Sequence, residues 1–195
     1  MPWTRSMLVA ALFVAAALAA AVGATAAPLP AAKTSHDRAA WRSILHWPKT
    51  CEQGWVSTAT PGSGIDLTPA GAAGVLVAVE CFPGAYQGDA MLYLARSRSQ
   101  TTGPLVFQVY EDPGNGHPHL VRATTILGVL TFSKSTGTLI VLDKYAGLGG
   151  CGIYSTYRLE SGRFVLAAAR SKPDCDGKPP YAPQRWPKLP VPASR

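Results

Sequence analysis

The densest group of residues with metal-ligating or acid–base chemistry is Glu111-Asp112, with His117-Pro118-His119 a few positions on. Two imidazoles and two carboxylates in one loop are a donor set that suits a divalent ion. The adjacent carboxylates Glu111 and Asp112 could also divide acid and base roles in a hydrolase. A rigid site needs oriented ligands, however, and Pro113-Gly114-Asn115-Gly116 marks a long, mobile loop. The reading is therefore a polar surface loop, and no metal is assigned. Asp174-Cys175-Asp176-Gly177 hints at a calcium loop but lacks the downstream acidic ligand, so it predicts a turn.

Gly147-Leu148-Gly149-Gly150-Cys151-Gly152 spells G-x-G-x-x-G. That fingerprint works by bringing a pyrophosphate to the start of a helix, whereas Ile153-Tyr154-Ser155-Thr156-Tyr157 continues here as a strand pattern. No cofactor is assigned. What is left is a glycine-rich turn, with exposed N–H groups able to cup an anion. The G-x-S-x-G elbow, S-x-x-K and H-E-x-x-H are absent, and Gly62-Ser63-Gly64 lacks the outer glycine, so no catalytic residue is named. The Trp and Tyr residues from Trp41 to Trp186 could line a saccharide groove, but such residues more often pack cores and sheets.

The elements that would position these groups are mostly strands. One short helix is predicted over Asp37 to Leu45, where Trp41, Ile44 and Leu45 share a face and Pro48 ends it. Beyond it the period switches to two. Runs at Ile65–Leu67, Val75–Cys81, Met91–Ala95, Leu105–Tyr110, Thr125–Phe132, Thr138–Lys144, Ile153–Leu159 and Phe164–Arg170 are separated by Gly, Pro, Asn and Ser turns. The pattern predicts an all-β fold with one short N-terminal helix, either an antiparallel sandwich or a small barrel-like meander. From Lys178 onward six prolines give an extended tail, laid over the domain or mobile, with Trp186 its one large anchor.

The N-terminus bounds the compartment. Met-Pro-Trp-Thr-Arg precedes an apolar run from Met7 to Val22 that closes on Ala24-Thr25-Ala26 before Pro28 and Pro30. This is the order of a signal peptide cleaved after Ala26 or Ala27, and it predicts a periplasmic or secreted product without a stable membrane span. The competing reading is an uncleaved anchor, for which the alanine-rich run is poor. The expected division is residues 1–26 as leader, 27–177 as one domain and 178–195 as tail.

The chain carries 195 residues and a net charge of +7. From Arg158 on, eight Lys or Arg stand against Glu160, Asp174 and Asp176, so the basic character is C-terminal. Scattered among Pro, Gly and acids in an exported chain, these charges argue against nucleic acid. They leave an envelope protein or an anionic envelope polymer as the expected partner. Four cysteines in an oxidising compartment predict two disulfides. If Ser161-Gly162 turns the last hairpin, Cys151 comes beside Cys175, which leaves Cys51 with Cys81.

Taken together, Trp41-x-x-Ile44-Leu45-x-Trp47-Pro48-x-x-Cys51-Glu52, Val79-x-Cys81-x-x-Gly84-Ala85-Tyr86-Gln87, Gly147-x-Gly149-Gly150-Cys151-Gly152, Cys175-Asp176-Gly177 and Trp186-Pro187 resemble the secreted bacterial proteins grouped as domain of unknown function 1176. The family pattern has an acid before the cysteine of the glycine loop, where this chain has Gly150. The resemblance implies an envelope protein without an assigned activity and supplies no catalytic residues. The expected function is thus a binding or interaction module, with a hydrolase using Glu111 and Asp112 as the alternative. Tyr86, Gln87, Gly147, Gly149 and Gly152 form the candidate binding loops. Pro83-Gly84 should stiffen the first of them and hold Tyr86 as a packed lid over the core near the glycine loop.

Overall fold

A computed structural model describes residue 29, residues 36–58 and residues 61–192. The predicted leader lies outside the described residues. Among these, no helix is long and apolar enough to cross a membrane.

Helix α1 runs Arg38–Leu45, where it was expected. The Asp37 carboxylate caps it by accepting from Ala40 N–H, and His46 ends it in the left-handed region at φ 52°. Trp41 and Leu45 are its buried face. A second helix, α2, Lys49–Ser57, corrects the single-helix expectation. Pro48 ends one helix and opens the next, because its fixed φ of −57° suits the position just before a first turn. The buried residues of α2 are Cys51, Gly54 and Trp55, and a glycine where Phe82 presses close hides the apolar stripe from a pattern search.

Every strand pairing is antiparallel. The first sheet takes β1 (Ile65–Pro69), β2 (Val75–Phe82), β3 (Asp89–Ser97) and β4 (Gln100–Thr101) in that order. A separate hairpin is made by β5 (Phe107–Glu111) and β6 (His119–Ala123). β7 (Thr125–Leu127) returns to pair with β3. The second sheet is ordered β12-β11-β10-β9-β8, from β8 (Val129–Ser133), β9 (Thr138–Lys144), β10 (Gly152–Glu160), β11 (Arg163–Lys172) and β12 (Lys188–Leu189). Among the described residues the two sheets stay open and no closed barrel forms. The predicted strand Thr125–Phe132 is really two. At Gly128 the chain turns through φ 133° and a side chain would meet the Leu142 carbonyl, so glycine lets it leave the first sheet and enter the second.

The first sheet is buried on both faces. Leu76, Ala90, Leu92 and Leu94 join Phe107, Val141, Tyr157 and Phe164 in the core shared by the sheets. The alternate residues Val77, Val79, Met91 and Tyr93 pack under the helices against Trp41, Leu45 and Trp47. The bridge Cys51–Cys81 ties α2 to the end of β2, and Cys151–Cys175 closes the base of the β10–β11 hairpin. Both pairings are those expected from strand order. Residues 178–192 lie along the second sheet: β12 pairs with β11, Trp186 is fully buried, and its Nε1 donates to the Pro180 carbonyl.

Candidate functional site

Three segments meet around a cleft of about 710 Å³. Gln87 and Asp89 come from the entry to β3. Tyr110, Glu111 and Asp112 come from the end of β5, and Asp143, Lys144 and Tyr145 from the end of β9. The volume is in the range that holds a small ligand.

Gln87 joins the first of these segments to the last. Its Oε1 accepts from Lys144 N–H at 2.7 Å, and its Nε2 donates to the Lys144 carbonyl at 3.2 Å and to Asp143 Oδ1 at 2.6 Å. The side chain stands in for a neighbouring strand at the end of β9 and fixes one oxygen of Asp143. We expect Gln87→Ala to lower the unfolding free energy by about 2–3 kcal/mol, roughly 1 kcal/mol per hydrogen bond lost. Urea denaturation checks this, and an unmoved midpoint would show that the loop docks without Gln87.

Burial pushes the Asp143 carboxyl above the ordinary range; the Gln87 bond pulls it partly back, and the charge of Asp89 raises it again. Burial alone raises Asp89. Burial, with the charges of Asp112 and Asp143 behind it, moves the Tyr145 hydroxyl well up, and that hydroxyl is buried without a hydrogen-bond partner among the described residues. A raised acid is penalised when ionised in the folded state, so its contribution to stability is present at low pH and is lost as pH rises through the folded value. Asp143→Asn should therefore raise the melting temperature at pH 7 rather than lower it. The gain should vanish at pH 3, where the native carboxyl is protonated in both states. Melting curves at the two pH values decide it; a variant that melts lower at pH 7 refutes the assignment.

Of the predicted loop residues, Tyr86 is 68% exposed, which corrects the packed lid. The ring does reach the glycine loop, lying against Gly147, but over backbone at the surface rather than over the core. Gly149 sits in the left-handed region with the Lys144 stem beside it. Gly152 begins β10 at φ 141° with the Asp143 carbonyl where a side chain would stand, so any larger residue would displace the end of β9. The Tyr145 N–H bond to the Cys151 carbonyl closes this loop at its base.

Glu111 and Asp112 both line the cleft, but Asp112 Oδ1 accepts the N–H groups of Gly114, Asn115 and Gly116 at 2.9–3.1 Å. The loop read as mobile is thus built by its own turn bonds, and His119 belongs to β6, opposite Glu111. No group of three or more His, Cys, Asp or Glu is placed to hold a metal ion among the described residues. Asp176 accepts from Lys178 N–H and pairs with Lys172, as a turn. A smaller hollow of about 370 Å³ borders Gly88 and carries Asp66 and Glu80, with Glu80 raised by burial and then by Asp66. The unpartnered hydroxyl singles out the larger cleft.

The pair Asp89 and Asp143 was missed in the sequence. Its signal was an acid closing the otherwise apolar run Thr-Leu-Ile-Val-Leu, a place where charge is expensive.

The model of one family, described as Protein of unknown function (DUF1176), matches residues 9–192. No curated protein and no solved structure matches the chain.

Proposed function

Starting from the fact that the chain belongs to the DUF1176 family, whose description assigns no activity, we propose that it is an exported envelope protein that binds a small ligand or the end of a larger one in the Asp89–Asp143–Tyr145 cleft. The observation that carries the reading is the buried Tyr145 hydroxyl, left without a partner among the described residues, beside two half-buried carboxyls. Such groups cost stability until something completes their hydrogen bonds. Two disulfides with no free cysteine among the described residues, and the predicted leader, support an oxidising compartment.

The expected anionic partner does not suit this cleft, which four carboxylates and one lysine line. Its place, if any, is the exposed Arg158, Arg163, Arg185 and Lys188. Arg170 and Lys172 are instead engaged with the tail, the first on the Trp186 carbonyl and the second on the Lys178 carbonyl and Asp176. Two carboxyls raised in one cleft also favour a second reading, acid–base hydrolysis by Asp89 and Asp143 rather than by Glu111 and Asp112.

The test has two arms. Intact mass of the protein recovered from the periplasm should begin at Ala27 or Pro28; retention of Met1 in a membrane fraction contradicts export. A thermal-shift screen of amines, sugars and peptides should give saturable hits that Tyr145→Phe weakens. Turnover of any hit would favour the hydrolase reading instead.

A further inference from the structure

We propose that the outer edge of β8 is a docking strand for a second copy of this chain, the two β8 strands pairing antiparallel across a two-fold axis and joining the second sheets of two molecules into one.

An edge strand offers a row of unpaired N–H and C=O groups, and folded chains blunt such rows with charge, proline, shortness or cover. Most edges of this molecule are blunted. β4 and β12 have two residues each, β7 has three, and β6 carries the exposed His119 and Arg122. β1 ends on Pro69, its Ile65 carbonyl accepts from His36 Nδ1 at 2.8 Å, and the Ser63 carbonyl just before it accepts from Arg38. β8, Val129-Leu130-Thr131-Phe132-Ser133, holds neither charge nor proline. It pairs with β9 alone, and its other side has no backbone partner among the described residues.

The strand also borders an opening into the core. Leu130 and Phe132 pack against the shared core, Phe132 edge-on to Phe164 at 5.9 Å, yet both are only half-buried. They line the hollow of about 370 Å³ that β1 shares with β8, so a strand added beside β8 would cover their open sides.

What selects a second copy is the match of β8 to itself. A pairing centred on Thr131 engages all five residues of the strand: Leu130 meets Phe132 of the second copy, and Thr131 meets Thr131. Residues opposite each other share a face, so both apolar pairs fall on the side of the hollow and the threonines on the side of solvent. Continued by one residue, the register sets Lys134 beside Gly128 of the second copy. Gly128 N–H donates to the Gly88 carbonyl, and the Glu80 carboxylate lies against Gly88, so each Lys134 comes to a Glu80. Lys134 is exposed, and neither it nor Glu80 has an ion pair among the described residues. The two-fold makes that charge match twice. A slip by one residue would turn the apolar side chains of one copy to solvent, and a slip by two would shorten the ladder and part Lys134 from Glu80.

So short a pairing buries less than the roughly 800 Å² per partner of a standard interface, so the dimer should be weak, with a dissociation constant on the order of 10–100 μM. Sedimentation equilibrium of the purified protein across that range is expected to show monomer and dimer, and hydrogen exchange from Val129 to Ser133 should slow as concentration rises. Thr131→Lys sets two like charges opposite each other at the two-fold and should weaken the dimer at least about tenfold. Position 131 is exposed, and a melting curve checks that the variant folds. Lys134→Glu should weaken the dimer and Lys134→Arg preserve it. If Lys134→Glu dimerises as the native chain does, the register centred on Thr131 is wrong and the proposal falls with it. A dimer indifferent to Thr131→Lys places the interface elsewhere and overturns it as well. A protein that stays monomeric throughout also overturns it: protected β8 amides would then mean that a segment of its own chain covers the edge, and freely exchanging ones that the edge is open to a strand of another protein.

Discussion

Replacing Cys51 and Cys81 together by alanine is expected to lower the unfolding free energy by about 4 kcal/mol, more than replacing the other pair. The bridge closes 30 positions of sequence, for which the chain-entropy argument gives about 3.6 kcal/mol. The two half-cystines are also buried, at 3% and 2% exposure, among Trp41, Trp47, Val79 and Met91, so their loss leaves a void under the helices. Cys151–Cys175 closes 24 positions and its second half is exposed, so the entropic part is similar and the packing part smaller. Denaturant unfolding of the two double variants under oxidising conditions measures the difference. The same exposure orders their reduction: a mild thiol should open Cys151–Cys175 first, because attack requires access to a sulfur. Equal midpoints for the two variants would mean that the helical layer is held without its staple.

What holds that layer besides the bridge is a network around Arg38. Its guanidinium lies over the Trp47 and Trp55 rings at 5.1 and 4.9 Å while Nε donates to Glu52 at 2.9 Å, and Trp47 Nε1 donates to the same carboxylate. Burial pushes Glu52 up, but those two hydrogen bonds and the Arg38 charge outweigh it and leave the group lowered. A lowered acid gives stability that is present above its unfolded value and is lost as pH falls through the folded one. In acid, then, the helical layer loosens while Asp89 and Asp143 are relieved, so the two ends of the molecule respond in opposite senses.

These contacts mark how far the sequence alone could be read. The helix α1 and the β10–β11 hairpin were legible because each is set by neighbours in sequence. Ser161 and Gly162 both take positive φ in a two-residue turn, which fixes the register Glu160 opposite Arg163 and carries Cys151 to Cys175. The break at Gly128 was not legible, since Thr-Ile-Leu-Gly-Val-Leu-Thr-Phe reads as one strand until something says that its halves belong to different sheets. The two-residue strands β4 and β12 are shorter than any periodic signal. The cleft was hidden for the same reason as the sheet switch. Gln87 and Asp143 are 56 positions apart, and only the packing of one sheet's edge on the other joins them. Acids adjacent in sequence, Glu111 and Asp112, drew the attention that belonged to acids adjacent in space.

The tail gives the last expectation. Trp186→Ala should cost about 4 kcal/mol, the usual scale for emptying a fully buried indole site. The ring is not merely filling space, because the backbone around it completes the edge of the second sheet. Arg170 donates to the Trp186 carbonyl at 2.8 Å, Ser171 N–H to the Pro187 carbonyl at 3.0 Å, and β12 then pairs Leu189 with Ala169. One residue past β12, the Pro190 carbonyl accepts from the Tyr110 hydroxyl, and Tyr110 lines the cleft. The tail thereby connects the hairpin to the second sheet, two of the three walls of the site. If that connection matters, the variant should lose hydrogen-exchange protection at Ser171 before global unfolding. A variant that unfolds as one unit, with Ser171 protected to the global limit, would show instead that Trp186 serves the whole core and that the cleft wall stands without the tail.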